Sequence, residues 1–292
     1  MRIPPDVSEW VNLAARWFHV FAGIMWIGTT YYFTWLDARL GEEERAAAQA
    51  GERAQVWMVH SGGFYVVEKR KEPSTRELHW FRWEAGLTWL SGAALLVWVY
   101  YLGGALVDPD VGDDFVRAIG RLPGGRARAP FLTEHYLGFA VVFCVALLVV
   151  GWLVYDLLVR SPLGKNEWAF AAVGYLLLVA VSYLLARVLS GRAAYIHVGA
   201  LMGTIMAANV WLRILPAQSK MIAATKAGRA PDYKLAASAK LRSKQNTFMV
   251  VPVVFTMISN HFAGTYGSRY NWLILSALIL VGWLAAKFIR RA

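Results

Sequence analysis

The sequence predicts an all-α integral membrane protein, a bundle of about seven transmembrane helices, and three observations carry that reading. Hydrophobic residues make up 58% of the 292, well above a soluble average. They gather in runs long enough to cross a hydrocarbon core of ~30 Å. The basic residues are concentrated in alternate loops between those runs. No internal repeat or low-complexity segment divides the chain, so residues 1–292 read as a single polytopic membrane domain.

The runs cover 10–36, 83–106, 132–158, 168–189, 194–216, 249–262 and 270–289, the sixth being short. Loops after the first, third, fifth and seventh hold most of the 30 Lys and Arg. The positive-inside rule therefore puts the N-terminus outside and the C-terminus, with Lys287, Arg290 and Arg291, in the cytoplasm. The polar opening MRIPPDVSE and the long run behind it predict no cleaved leader. A net charge of +11 reads as topology and attraction to anionic lipid, with no need for nucleic acid. The single cysteine, Cys144, lies within an apolar run, which excludes a disulfide framework and a thiolate metal site. Without a CxxCH motif there is no covalent c-type haem.

The first run places Arg16, His19, Gly23, Trp26 and Thr30 on one face. A histidine beside a glycine on a membrane helix lets a flat macrocycle lie against the backbone, and the same small residue also serves helix packing. The segment 37–82 predicts a short surface helix and then a small cytoplasmic hairpin, FYVVEKRK pairing with ELHWFRW around a Pro73-Ser74 turn. His60 and His79, outside any run, read as structural. The second run carries Thr88, Ser91 and Gly92. The segment 107–130 reads as a polar outer loop, solvated or partner-docking. The third run opens with Glu134-His135-Tyr136, and the fourth contributes Tyr175, Ser182 and Tyr183.

The fifth run is chemically the richest. Gly199, Gly203 and Ala207 make a small-residue stripe suited to close helix approach. Met202, Met206, Asn209 and Arg213 make a second stripe, and His197 points elsewhere near the other end. An ionisable residue inside a span costs roughly 3 kcal/mol or more, which marks it as a functional candidate. Asn209 and Arg213 are candidates to bind an anionic substrate. The basic segment 219–248 predicts helical pieces on the membrane surface. The sixth run ends in Ser259-Asn260-His261, and the seventh holds Asn271, Ser276 and Trp283.

In this topology His135, His197 and His261 lie within roughly 5 Å of one outer level, and His19 sits about 14 Å deep. Four histidines from four helices suit a non-covalent haem b, with Arg16, Arg187, Arg192 and Arg269 available for its propionates. Spacing does not choose the ligand pairs. A zinc or copper cluster would use the same histidines, usually with carboxylate or thiolate company.

The blocks WFHVFAGIMWIG, VHSGGFY, HWFRWEA, IHVGALMGTIMAANVW with LPAQ, and FTMISNHF resemble the membrane domain of the bacterial cytochrome-c-linked urate oxidase (urate hydroxylase) family. The resemblance spans nearly the whole chain. It implies a multi-span module in the bacterial inner (plasma) membrane that oxidises urate to 5-hydroxyisourate and passes electrons to a cytochrome c domain on the outer side. Here the sequence ends after the seventh run, so a separate cytochrome c or a quinone is the expected acceptor. Gln245 stands where the family is expected to carry histidine, which leaves the substrate open among urate and related molecules. The alternative is a non-catalytic haem-b subunit relaying electrons within a larger respiratory complex. Transport is disfavoured, for want of an inverted repeat or paired broken helices.

Overall fold

The computed structural model describes residues 5–50, 54–70 and 78–290. Helices run through all seven predicted places, and one small hairpin is added to them. In order they are α1 (Pro5–Ala50), β1 (Gln55–His60), β2 (Gly63–Glu68), α2 (Trp83–Leu95), α3 (Pro109–Gly120), α4 (Ala129–Arg160), α5 (Glu167–Val188), α6 (Gly191–Asn209), α7 (Leu215–Lys226), α8 (Tyr233–Ile258), α9 (Ala263–Tyr266) and α10 (Asn271–Ile289). Two of them pass into π turns, α2 at Leu96–Tyr101 and α6 at Val210–Ile214.

Among the described residues, four helical stretches are long and apolar enough to cross a membrane: Ala129–Arg160, Glu167–Val188, Gly191–Lys226 and Asn271–Ile289. The chain is thus an all-α protein with membrane-length helices. The other three predicted runs are helical but less clear-cut for physical reasons. Trp, Tyr, Thr and His dilute the apolar content of α1, α2 is short before its π turn, and α8 joins a basic first half to an apolar second half.

α6 is the centre of the bundle. Every residue from Ala193 to Gly199 is buried, as a helix surrounded by others must be. α8, α4, α5 and α2 pack around it. Leu185, Val188, Leu201, Met202, Val250 and Ile279 fill the space between them. α1 lies at the edge against α2, with Trp10, Trp17, Phe21 and Ile24 exposed along its outer side, as a lipid-facing surface would be.

Three local readings are corrected. FYVVE does form a strand, but it pairs with the preceding QVWMVH, in the register Trp57↔Val66, Met58↔Tyr65, Val59↔Phe64. Ser61 and Gly62 close it with φ of 49° and 77°, the left-handed pair of a two-residue hairpin turn. The proposed Pro73-Ser74 turn lies outside the described residues, and residues 78–82 enter α2 without forming a strand. The segment 107–130, read from the sequence as a polar loop, contains a helix, α3, whose first turn is capped by the Asp108 carboxylate accepting from the Asp110 N–H at 3.1 Å. The basic segment before the sixth run is not wholly a surface element, because Arg242, Asn246 and Thr247 are buried.

The hairpin lies along the end of α1. Val56 packs on Leu36 and Leu40, with Met58 and Val67 beside them, and the Tyr32 hydroxyl donates to Met58 Sδ at 3.5 Å. At its open end Asp37 holds Lys69 at 2.9 Å and Lys240 of α8 at 2.7 Å. Burial pushes the Asp37 carboxyl up, but bonds from the two ammonium groups outweigh it and hold the group below its ordinary value.

Candidate functional site

The densest polar centre gathers the end of α4, the π turn after α6 and the middle of α8. Asp156 is a buried carboxylate in an apolar helix, which only paired partners make tolerable. Arg213 reaches it with two parallel bonds, Nε to Oδ1 at 2.9 Å and Nη2 to Oδ2. Arg242 Nη2 donates to Oδ1 at 2.6 Å, and Arg160 stands 3.6 Å from Oδ2. Three guanidiniums thus surround one carboxylate, leaving an excess of two positive charges.

The three arginines differ in access. Arg242 is 2% exposed, Arg213 36% and Arg160 65%, by side chain. Arg242 Nε is buried without a partner among the described residues. Its Nη1 donates to Asn209 Oδ1 at 3.0 Å. The Asn209 amide nitrogen donates to the Tyr155 hydroxyl and to Asn246 Oδ1, both at 2.9 Å. Tyr155 in turn donates to Gln245 Oε1 at 2.5 Å, and Asn246 donates to the Met206 carbonyl at 3.0 Å. Asn209 therefore spends all its bonds inside the protein and fixes Arg242, while Arg213 is the member open to a ligand. Trp152 lies under the Arg213 guanidinium, 5.7 Å from it, as a flat apolar wall.

Of this centre, Asn209 and Arg213 stood out in the sequence, whereas Asp156, Arg242, Asn246 and Tyr155 did not. Asp156 carried a usable signal, as the sole acidic residue of the run VVFCVALLVVGWLVYDLLV. A lone carboxylate in such a run calls for an arginine from another helix.

The histidines are spread along several helices. His197 is buried at the far end of α6, 16 residues from Arg213 and hence roughly 24 Å away along the axis. Its Nδ1 lies 2.7 Å from the Ala193 carbonyl, so it carries the proton. Nε2 is then an acceptor, and the Tyr101 hydroxyl donates to it at 3.3 Å. Tyr101 comes from the π turn after α2 and stacks on the imidazole at 5.8 Å. Nearby, Tyr100 and Arg192 both donate to Asn260 Oδ1, at 3.2 and 3.0 Å.

His19 fills the notch left by Gly92, and its Nδ1 lies 3.0 Å from Ser91 Oγ. The Ser91 hydroxyl is committed to the Leu87 carbonyl at 2.6 Å, so Nδ1 is the donor and Nε2 keeps its lone pair. The space beside Gly23 faces Thr88 at ordinary contact distance, a helix-packing role. His135 has non-helical φ and ψ and kinks α4; its Nδ1 donates to the Phe131 carbonyl at 3.1 Å and its ring stacks on Phe131. His261 is exposed at the end of a 3-10 turn, and Arg16 donates to Asn12 at 2.6 Å. Among the described residues, no three His, Cys, Asp or Glu side chains are grouped to hold a metal ion.

No curated protein and no solved structure matches the chain. A family model does, that of the urate oxidase N-terminal region, over residues 5–118 and 131–292. That match takes in both polar centres and nearly the whole length, so the chain belongs to the urate oxidase N-terminal family.

Proposed function

We propose that this chain is a membrane-integral oxidoreductase, with seven spans and its N-terminus outside, which oxidises urate or a related anionic molecule and delivers the electrons to a cytochrome c or a quinone. The observation that carries the reading is the surplus of guanidinium charge at Asp156. Arg242 neutralises the carboxylate permanently from within, so Arg213 can share its fork with a planar anion lying on Trp152. For urate the balance is urate plus water giving 5-hydroxyisourate, two protons and two electrons. The role of the centre is to bind and orient the anion, and the family membership supports the urate-related chemistry.

Haem b is the proposed electron carrier, and the donor chemistry fits. His19, His135 and His197 each commit Nδ1–H locally, which leaves Nε2 as the ligating nitrogen, and at His197 the Tyr101 hydroxyl that donates to Nε2 would have to give way. His19 and His197 would hold the group, supported by their shelter, and His135 and His261 are more open. When bound, the group would supply one-electron relay.

Two measurements test this. Arg213→Ala should raise KM for urate by roughly 10- to 100-fold in urate-dependent reduction of added cytochrome c, the worth of a charge-assisted pair. Haem content should stay the same, and thermal stability should fall by less than for Asp156→Ala because Arg242 still pairs with the carboxylate; unchanged kinetics would move the anion elsewhere, and haem loss would assign Arg213 to the cofactor. In a pyridine haemochrome assay the purified protein should show b-type haem only. His19→Ala or His197→Ala should lose it or turn it high-spin, and His60→Ala should not. A colourless, fully folded preparation refutes the cofactor.

A further inference from the structure

The β1–β2 hairpin presents two faces of opposite use. Val56, Met58 and Val67 pack on α1, while the other face carries Gln55, Trp57, Val59, Phe64, Val66 and Glu68. Along that free face polarity is graded. At the open end Gln55 bonds Glu68 at 2.5 Å; toward the turn come the facing pairs Trp57–Val66 and Val59–Phe64, all exposed, Phe64 at 81%.

The direction of the hairpin gives this gradient its meaning. Its root sits at Asp37 and Leu40, beyond the predicted span, and its middle at Tyr32, inside it. Side chains on a helix lean toward its N-terminus, so the Tyr32 hydroxyl marks a level still deeper than its own Cα. From Met58 the strand runs about 10 Å further to the turn, at ~3.3 Å per residue. The tip therefore heads back toward the bilayer alongside α1. Phe33 meets Phe81, next to the start of α2 at Trp83, at the same level, with ring centroids 4.9 Å apart.

We propose that this hairpin is a membrane anchor that dips its Trp57, Val59, Phe64 and Val66 face into the lipid leaflet at that end of α1. The occupant of the face is lipid, because the exposed apolar surface is continuous with the lipid-facing side of α1 and because polarity falls in the direction of the membrane. Depth is limited by the backbone. A two-stranded sheet has unpaired edges, which hydrocarbon does not tolerate, and the Ser61 hydroxyl and His60 ring at the tip are polar. The strands thus lie among headgroups, with the side chains reaching about 5–10 Å to the acyl boundary. Such an anchor fixes the tilt and rotation of α1.

The inference rests on α1 being a span, and the test separates the two claims. Nitroxide labels are placed at Phe64→Cys, Val59→Cys, Phe21→Cys on α1 and Arg39→Cys, in a Cys144→Ala background, with the protein in phosphatidylcholine–phosphatidylglycerol nanodiscs. Collision with oxygen reports lipid, and collision with a water-soluble nickel chelate reports solvent. Labels at 64 and 59 should give an oxygen-to-nickel ratio several-fold above that at 39 and below that at 21, which lies near the middle of the predicted span. If 64 and 59 behave like 39 while 21 stays in lipid, the anchor is wrong and the span stands. If 21 also reports water, both fall. Labels at 64 and 59 shielded from both reagents would replace lipid with a protein partner.

Discussion

Asp156→Ala is expected to cost about 3–5 kcal/mol, a large part of the 5–15 kcal/mol that holds a typical protein folded. Its effect comes from the charge left behind. Arg242, 2% exposed, would face burial without a counterion. Arg160→Ala is the contrast, because a guanidinium 65% exposed at 3.6 Å contributes about 0–1 kcal/mol. The double variant Asp156→Ala with Arg242→Met should recover much of the loss, since an apolar side chain of similar length replaces the stranded charge. Thermal unfolding followed by size-exclusion chromatography in detergent reads all three. If Asp156→Ala melts with Arg160→Ala, the buried pairing has no structural weight.

Gly199→Leu should be comparably damaging, by overpacking. A Cβ at Gly199 would run into Thr256 of α8, closer to its Oγ1 than real contacts allow and 3.0 Å from its Cβ. Thr256 is fully buried and its hydroxyl is bonded to the Val253 carbonyl at 2.8 Å, so it has nowhere to turn. The expected cost is about 1–3 kcal/mol or more, read as loss of monodisperse protein at elevated temperature. Gly203→Leu is the control. Nothing lies within 4 Å of a Cβ there, and equal damage at both positions would mean that added bulk anywhere on this stripe, not the α6–α8 contact, sets the effect, since Gly→Leu itself favours the helix.

The contrast between these two glycines marks the limit of the sequence. Apolar runs located three membrane-length helices to within three residues and fell ten short of the end of the fourth at Lys226, because burial in lipid demands length and little else and the polar continuation of that helix needs no lipid. Spacing put Gly199, Gly203 and Ala207 on one stripe correctly, but which of them meets a neighbour depends on α8, and periodicity contains no neighbours. Asn209 and Arg213 were visible as polar residues in an apolar helix. Asp156 is marked by the same rule, less plainly because it lies close to a helix end. Arg242 looked like one more cation in a basic segment, and only folding shows that its half of α8 turns inward. The hairpin does follow α1, but its partner strand is the preceding one, since Ser61-Gly62 ahead of FYVVE supplies the positive φ pair that a tight hairpin uses and that a proline at Pro73-Ser74 cannot adopt.

The two π turns have a consequence for how this chain is compared with any other. A π turn holds one residue more than the α-helix needs, so residues beyond Ile214 are out of phase with those before Val210, and Tyr101 closes a turn of the same kind at the end of its helix. A single-residue deletion in either turn would restore the regular period and swing the residues that follow the deletion by about 100°. Arg213 would leave Asp156, or Tyr101 would leave His197, with every chemical letter still present. Segment length at these two points, more than residue type, decides which relatives have the same centres.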